Sequence, residues 1–229
     1  MNGRFYDFNV HSQPESNTTI SQLCEVAKRY GYYGLAITNH SDNFAMDKNH
    51  FSCDFEVVNG VEIVSDPSDL KEKVRKLRPK VTILSVHGGN ERINRMAVED
   101  KRIDILCHPE CENESGLNHV LARSAAKNDV VIGFDMGSII HNRGKSRSKV
   151  LSSMSKNLRL ARRYGAEMIL TSNSFNIYDL RAPREMIALA SLFGMTREEA
   201  VVAISVTPQN IIKRNTSRLP EGVEVVDTV

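Results

Sequence analysis

The sequence predicts one α/β domain whose short parallel strands close, or nearly close, into a barrel. Three observations carry that prediction. Short apolar runs alternate with stretches of helical period along almost the whole chain. Seven of those runs lead to polar side chains of metal-ligand type, which is how a parallel β/α barrel furnishes one rim. The length, 229 residues, suits a single large domain of this kind.

The elements follow in order. Arg4–Phe8 is the first strand, leading to Asn9 and His11. Thr18–Tyr30 is a helix, because Ile20, Leu23, Ala27 and Tyr30 share one face and Gly31 ends it. Leu35–Thr38 is a short buried strand that delivers Asn39 and His40. Phe55–Val58 and Val61–Val64 flank Asn59-Gly60, which suits a hairpin turn; alternatively only the second run, with Glu62, is a barrel strand. Leu70, Val74 and Leu77 define a helix that Pro79 stops before the strand Val81–Val86 and its His87. A helix over Arg92–Asp100, a strand Ile103–Leu106 before His108, a helix Asn118–Asn128 and a strand Val130–Phe134 before Asp135 come next. Ser146–Tyr164 is the longest helix, and Met168–Thr171 is the seventh strand, leading to Asn173. Pro183 fits the first turn of a helix ending before Gly194, while Thr196 and Thr207-Pro208 each cap a short helix. The barrel is thus expected over residues 1–218, with residues 219–229 as a loose tail.

Composition narrows the function classes. A hydrophobic fraction of 41% and a charged fraction of 25% are ordinary for a soluble globular protein. No apolar run is long enough to span a bilayer and no basic-then-apolar leader opens the chain, so a cytoplasmic protein without membrane contact is expected. Cys24, Cys53, Cys107 and Cys111 form no C-x-x-C pair, and reduced thiols fit that compartment. Cys107 and Cys111 bracket His108, but two thiols and one imidazole fall short of a structural zinc site. No phosphate-binding G-x-x-x-x-G-K-[ST] loop occurs, and Ser172, Ser174 and Cys107 have no base at readable spacing, so no nucleophilic residue is expected.

The net charge of +2 hides an asymmetry, with −6 over residues 1–70 and +8 over residues 71–229. Between His141 and Arg163 lie eight basic residues and no acid. On a helix, Leu151, Met154, Leu158 and Ala161 fall on one face, while Lys149, Lys156, Arg159 and Arg163 fall roughly opposite. Such a row is either a solvated face or a site for a polyanion, and it suits a phosphate backbone better than scattered carboxylates.

The rim segments resemble a known superfamily. Asp7-Phe8-Asn9-Val10-His11-Ser12 is similar to the D-L-H-x-H-T opening of the polymerase-and-histidinol-phosphatase (PHP) metallophosphoesterases. Thr38-Asn39-His40 looks like their T-D-H, Gly60-Val61-Glu62 like their G-x-E, and Val86-His87 and His108-Pro109 like their later histidines. The resemblance implies a PHP-like, TIM-type β/α barrel. Such enzymes use a multinuclear cluster to activate water. Here Asn9 stands for the first histidine, and Asn173-Ser174-Phe175 for the closing D-x-H. Amides carry no charge to offset a dication, so no complete cluster is expected. Glu62, His87 and His108 remain as a relic trio that could still hold one metal.

One branch departs from the metal set in the same way: the archaeal ribonuclease P protein component 3 family. The resemblance spans nearly the whole chain and is most specific in Gly116–Arg123, Val131–Phe134, Asp179–Glu185 and Ile187–Met195. It implies a subunit of the ribonucleoprotein that removes the 5′ leader from precursor tRNA. In that particle the RNA subunit and its Mg²⁺ carry the chemistry, and this chain would bind no cofactor and have no catalytic residue. Implied partners are ribonuclease P RNA, protein component 2, the other holoenzyme proteins and precursor tRNA. The resemblance also raises an RNA-contact role for Arg92, Arg95, His119, Lys127 and Arg181, alongside the row Lys149, Lys156, Arg159 and Arg163. Bland alternatives stand beside these: His119 as a helix cap, and Arg181 and Arg184 as partners of Asp179 and Glu185. Two other functions stay open, a metal-dependent phosphoesterase with a reduced site and a scaffold whose basic sector meets an acidic protein.

Overall fold

The computed structural model describes residues 3–44, 55–110 and 115–217. Seven parallel strands run in sequential order: β1 (Tyr6–Val10), β2 (Gly34–Ile37), β3 (Glu56–Ile63), β4 (Ile83–His87), β5 (Ile105–Cys107), β6 (Val131–Asp135) and β7 (Met168–Thr171). The barrel closes where the chain just past β7 meets β1. His11 N–H donates to the Ser174 carbonyl at 2.8 Å and Ser174 N–H to the Asn9 carbonyl at 3.2 Å. Helices α1 (Ile20–Tyr30), α2 (Leu70–Leu77), α3 (Glu91–Val98), α4 (His119–Asn128), α5 (Met136–His141), α6 (Gly144–Tyr164), α7 (Pro183–Ser191), α8 (Arg197–Ile204) and α9 (Val206–Thr216) surround or close it. Among the described residues no helix is long and apolar enough to cross a membrane.

Two cores result from the double-sided burial of the strands. Leu23, Leu35, Ile63, Val74, Ile132 and Leu158 belong to the layer between barrel and helices. Tyr6, Phe8, Ala36, Ile83, Ile105, Val131 and Ile169 fill the barrel interior, with Ile211 of α9 entering from one end. Asp104 holds that end shut. Its carboxylate accepts from Arg78 at 2.6 Å, Arg214 at 3.0 Å, Asn215 at 2.9 Å and the Leu84 N–H at 2.8 Å. A buried carboxylate needs such compensation to stay charged. The opposite rim, at the carboxyl ends of the strands, is left to gather polar side chains.

The structure corrects several expectations. Asn59-Gly60 is no hairpin turn; it lies inside β3, which pairs in parallel with β2 as far as Asn59 and with β4 from Gly60. Gly60 serves close packing there, since a Cβ would sit 2.7 Å from Thr38 Cγ2. The helix α5 was not expected; the Asp135 carboxylate starts it by accepting from Gly137 N–H at 2.7 Å and Ser138 N–H at 3.1 Å. Thr207 and Pro208 lie in the first turn of α9, so Thr207 is not its cap. His119 does not cap α4 either. Asn118 does, accepting from Val120 N–H at 2.9 Å and Leu121 N–H at 3.0 Å. The expected tail at 219–229, and Cys53 and Cys111, lie outside the described residues.

Candidate functional site

The rim is organised around Glu62, which is fully buried. Its Oε2 accepts from Asn9 Nδ2 at 3.1 Å and its Oε1 lies 2.9 Å from His87 Nδ1. Thr38 donates its hydroxyl to Asn9 Oδ1 at 3.3 Å, which fixes the amide with its NH₂ toward the carboxylate. His108 Nε2 and His40 Nε2 stand 3.8 and 3.9 Å from the same group. Burial alone would raise the Glu62 carboxyl. The His87 hydrogen bond and the charges of His108, His87 and His11 outweigh it and hold the group at about 2. For His87 burial pulls downward, yet the bond and charge of Glu62 raise it above its ordinary value.

A second carboxylate, Glu15, bridges His11 and His40. Its Oε2 lies 3.1 Å from His11 Nδ1 and accepts from the His40 N–H at 2.7 Å, while Oε1 meets His40 Nδ1. Burial pushes Glu15 up, but His11 and His40 win and hold it at about 2. The far side of His11 is also occupied: Nε2 lies 3.2 Å from Asn173 Oδ1. Phe175 covers the ring face, with centroids 4.1 Å apart and planes 6° from parallel. All three residues that replace metal ligands are thus used within the rim. Glu15 was missed in the sequence; its partner His40 is 25 residues away, and only its i,i+4 spacing from His11 hinted at a role.

This donor set does not fit a multinuclear centre, because Asn9 and Asn173 bring no charge and Phe175 no lone pair. Among the described residues two trios bring ligand atoms within 4.8 Å of one another: His11, Glu15 and His40, and His40, Glu62 and His87. In the second, His40 takes the place that the sequence reading gave to His108. His108 instead sits with Nδ1 3.6 Å from Asp135 Oδ2.

The basic residues assemble on the outside of the barrel. α3 packs against α4, and α4 against α6. Met154, Asn157, Leu158 and Ala161 of α6 are buried, while Lys149, Lys156, Arg159 and Arg163 are exposed on the opposite face. Among the described residues none of those four makes a salt bridge. Arg92 and Arg95 are exposed on α3, Arg95 with its Nε 2.9 Å from Glu99. His119 and Lys127 are exposed on α4.

Arg123 was overlooked, although its i,i+4 spacing from both His119 and Lys127 puts all three on one row. Its guanidinium lies 5.9 Å from the Tyr164 ring, which Arg163 also approaches at 5.8 Å, so α4 and α6 bring their cations together there.

Two buried asparagines set this sector against the rim. Asn94 of α3 donates to the Pro109 and Gly116 carbonyls at 2.7 and 3.1 Å. Asn157 of α6 donates to Glu110 Oε1 at 3.2 Å and the Ser115 carbonyl at 2.7 Å. Pro109 and Glu110, just past β5, and Ser115 and Gly116, just before α4, are therefore held from both sides.

Arg181 stands apart, on the loop after β7. Its guanidinium donates to the Tyr178 and Leu180 carbonyls at 2.6 and 2.8 Å, and the expected pairing with Asp179 is replaced by His141, 3.4 Å from Asp179. Glu185 is likewise spent on its own helix, accepting from the Ala182 N–H at 2.9 Å.

The family model described as RNase P subunit p30 matches residues 4–219. Ribonuclease P protein component 3 of Methanosarcina barkeri is 43% identical, covering 98% of this chain and 96% of its own length. That of Methanococcoides burtonii is 45% identical, covering 97% and 94%. Among solved structures, a chain of the cryo-EM structure of archaeal ribonuclease P with mature tRNA shares the fold, with a TM-score of 0.80, 24% identity and coverage of 97% and 98%. The histidinol phosphate phosphatase of Lactococcus lactis, complexed with zinc, L-histidinol and phosphate, also shares it, with a TM-score of 0.57, 12% identity and coverage of 82% and 94%.

Proposed function

The chain belongs to the RNase P subunit p30 family, and on that premise we propose how it serves ribonuclease P, the ribonucleoprotein that cleaves the 5′ leader from precursor tRNA. It is a protein subunit of that particle, with RNA and protein-subunit partners. Its task is to support the catalytic RNA while performing no chemistry itself. The observation that carries this reading is the run of cations on α6 that form no salt bridge among the described residues, set beside the basic faces of α3 and α4. Lys and Arg in rows meet phosphates without reading sequence, which suits the positioning of a folded RNA.

Protein component 2 is the subunit we assign as its direct partner, with the other holoenzyme proteins and precursor tRNA in the same assembly. The chain holds no cofactor, and the Mg²⁺ of the reaction belongs to the RNA subunit. Its place of action is the cytoplasm, in keeping with four cysteines that form no C-x-x-C pair in the sequence. Copurification tests the reading: RNA and a small protein partner are expected to accompany the chain. Stoichiometric zinc or manganese without RNA would overturn it. That opposite result has one observation in its favour, the convergence of His40, Glu62 and His87, and would mark a phosphoesterase with a reduced site.

A further inference from the structure

Tyr178 is 81% exposed, far more than any other large apolar side chain among the described residues. The loop that carries it is firmly tied. Asp179 Oδ2 accepts from Phe175 N–H at 3.2 Å and Asn176 Nδ2 at 2.6 Å, and Asn176 Oδ1 accepts from Tyr178 N–H at 2.8 Å. Phe175 anchors one end of the loop on His11, and Arg181 holds the Tyr178 carbonyl at 2.6 Å. An aromatic ring kept in water on an ordered loop adds nothing to the fold, and it is already positioned for a partner.

The chemistry around the ring selects that partner. Asp179 is joined to His141 at 3.4 Å, which brings the loop against the end of α5. Two and four residues further on, Arg143 and Lys145 are exposed at the start of α6. Arg147, by contrast, is turned back onto the Asn142 carbonyl at 2.8 Å. Arg184 is exposed in the first turn of α7, six residues after Tyr178. An exposed ring on a loop tied to the basic start of α6 suits a nucleotide, whose base has a π-face and whose backbone is anionic.

We propose that Tyr178 is a stacking platform for an unpaired nucleotide of the RNA partner, with Arg143 and Lys145 meeting the adjoining phosphates. The proposal rests on the reading of the chain as a ribonuclease P subunit. It adds base stacking, at the start of α6, to what is otherwise backbone contact.

The test uses the reconstituted holoenzyme with ribonuclease P RNA and three versions of the chain: wild type, Tyr178→Ala and Tyr178→Phe. Dissociation constants and nucleotide-resolution chemical probing are read together, with thermal unfolding to confirm that each version is folded. Tyr178→Ala is expected to weaken RNA binding at least about five-fold, and one unpaired position should gain reactivity. Tyr178→Phe should restore both, since the ring and not the hydroxyl stacks. An indifferent alanine variant, with wild-type chain still binding RNA, overturns the stacking site alone. Weakened binding to a protein subunit in the absence of RNA overturns it in favour of protein docking. A wild-type chain that does not bind the RNA removes both this proposal and the subunit reading.

Discussion

Asn9 donates its side-chain amide to Glu62 Oε2 at 3.1 Å, inside the buried rim of the barrel. The amide thus takes up one oxygen of the carboxylate within the protein itself. With His87 on Oε1, the fully buried Glu62 becomes the centre of a hydrogen-bond network that joins three strand ends. Such a network contributes to stability only while it is satisfied.

Glu62→Gln is therefore expected to lower stability by about 1–3 kcal/mol, by replacing a charged acceptor with a weaker one and a misplaced donor. Cleavage of precursor tRNA by the reconstituted particle should persist at temperatures where the variant is folded. Denaturant unfolding and cleavage assays on the same preparation check this. Lost cleavage with unchanged stability would assign Glu62 to the chemistry.

The clip between Asn157 and Glu110 has a pH signature. Burial raises the Glu110 carboxyl to about 7, with Asp135 adding to the rise, while the Asn157 bond only partly opposes it. The folded state thus binds this proton more tightly than the unfolded chain. Its contribution is complete below the ordinary carboxylate value, falls as pH rises through about 7, and amounts to at most about 3 kcal/mol. Glu110→Gln keeps the acceptor and removes the titration. Unfolding midpoints measured from pH 5 to about 8 are expected to decline less in the variant than in the wild type.

Neutralising Lys149, Lys156, Arg159 and Arg163 should weaken assembly with the RNA at physiological salt and leave the unfolding midpoint almost unchanged, since exposed charges contribute little to stability. The dependence of log affinity on log salt should become shallower, by roughly 0.7–0.9 per lost phosphate contact. An unchanged slope would give the row to solvent or to a protein.

Arg92→Ala with Arg95→Ala removes two cations from one face of α3. The reconstituted enzyme is then expected to need more Mg²⁺ for half-maximal cleavage, because less of the RNA's self-repulsion is offset. A Mg²⁺ titration reads this directly. An unmoved midpoint would take α3 out of the RNA interface.

Much of this was legible in the sequence because it depends on local spacing. The faces of α6 follow from its helical period, and the seventh strand matches its predicted bounds, Met168–Thr171. The first, fourth, fifth and sixth strands begin later than expected. β1, for example, runs over Tyr6–Val10 and is buried throughout, so no alternation marks where it starts. The metal-ligand types at the strand ends pointed to the rim, but not to its wiring. Glu15 meets His40, and Phe175 stacks on His11, across sequence distances that no local pattern spans. Arg181 could be singled out by resemblance only, and the structure spends its guanidinium on its own loop.

The most direct measurement is precursor-tRNA cleavage by ribonuclease P RNA with the other protein subunits, with and without this chain, set beside the chain alone with Mg²⁺, Mn²⁺ or Zn²⁺. Adding the chain should raise the cleavage rate of the RNA-containing mixture, and the chain alone should cleave nothing with any of the three ions. Leader removal by the isolated chain, abolished by Glu62→Gln, would contradict a supporting role and place the chemistry on the rim.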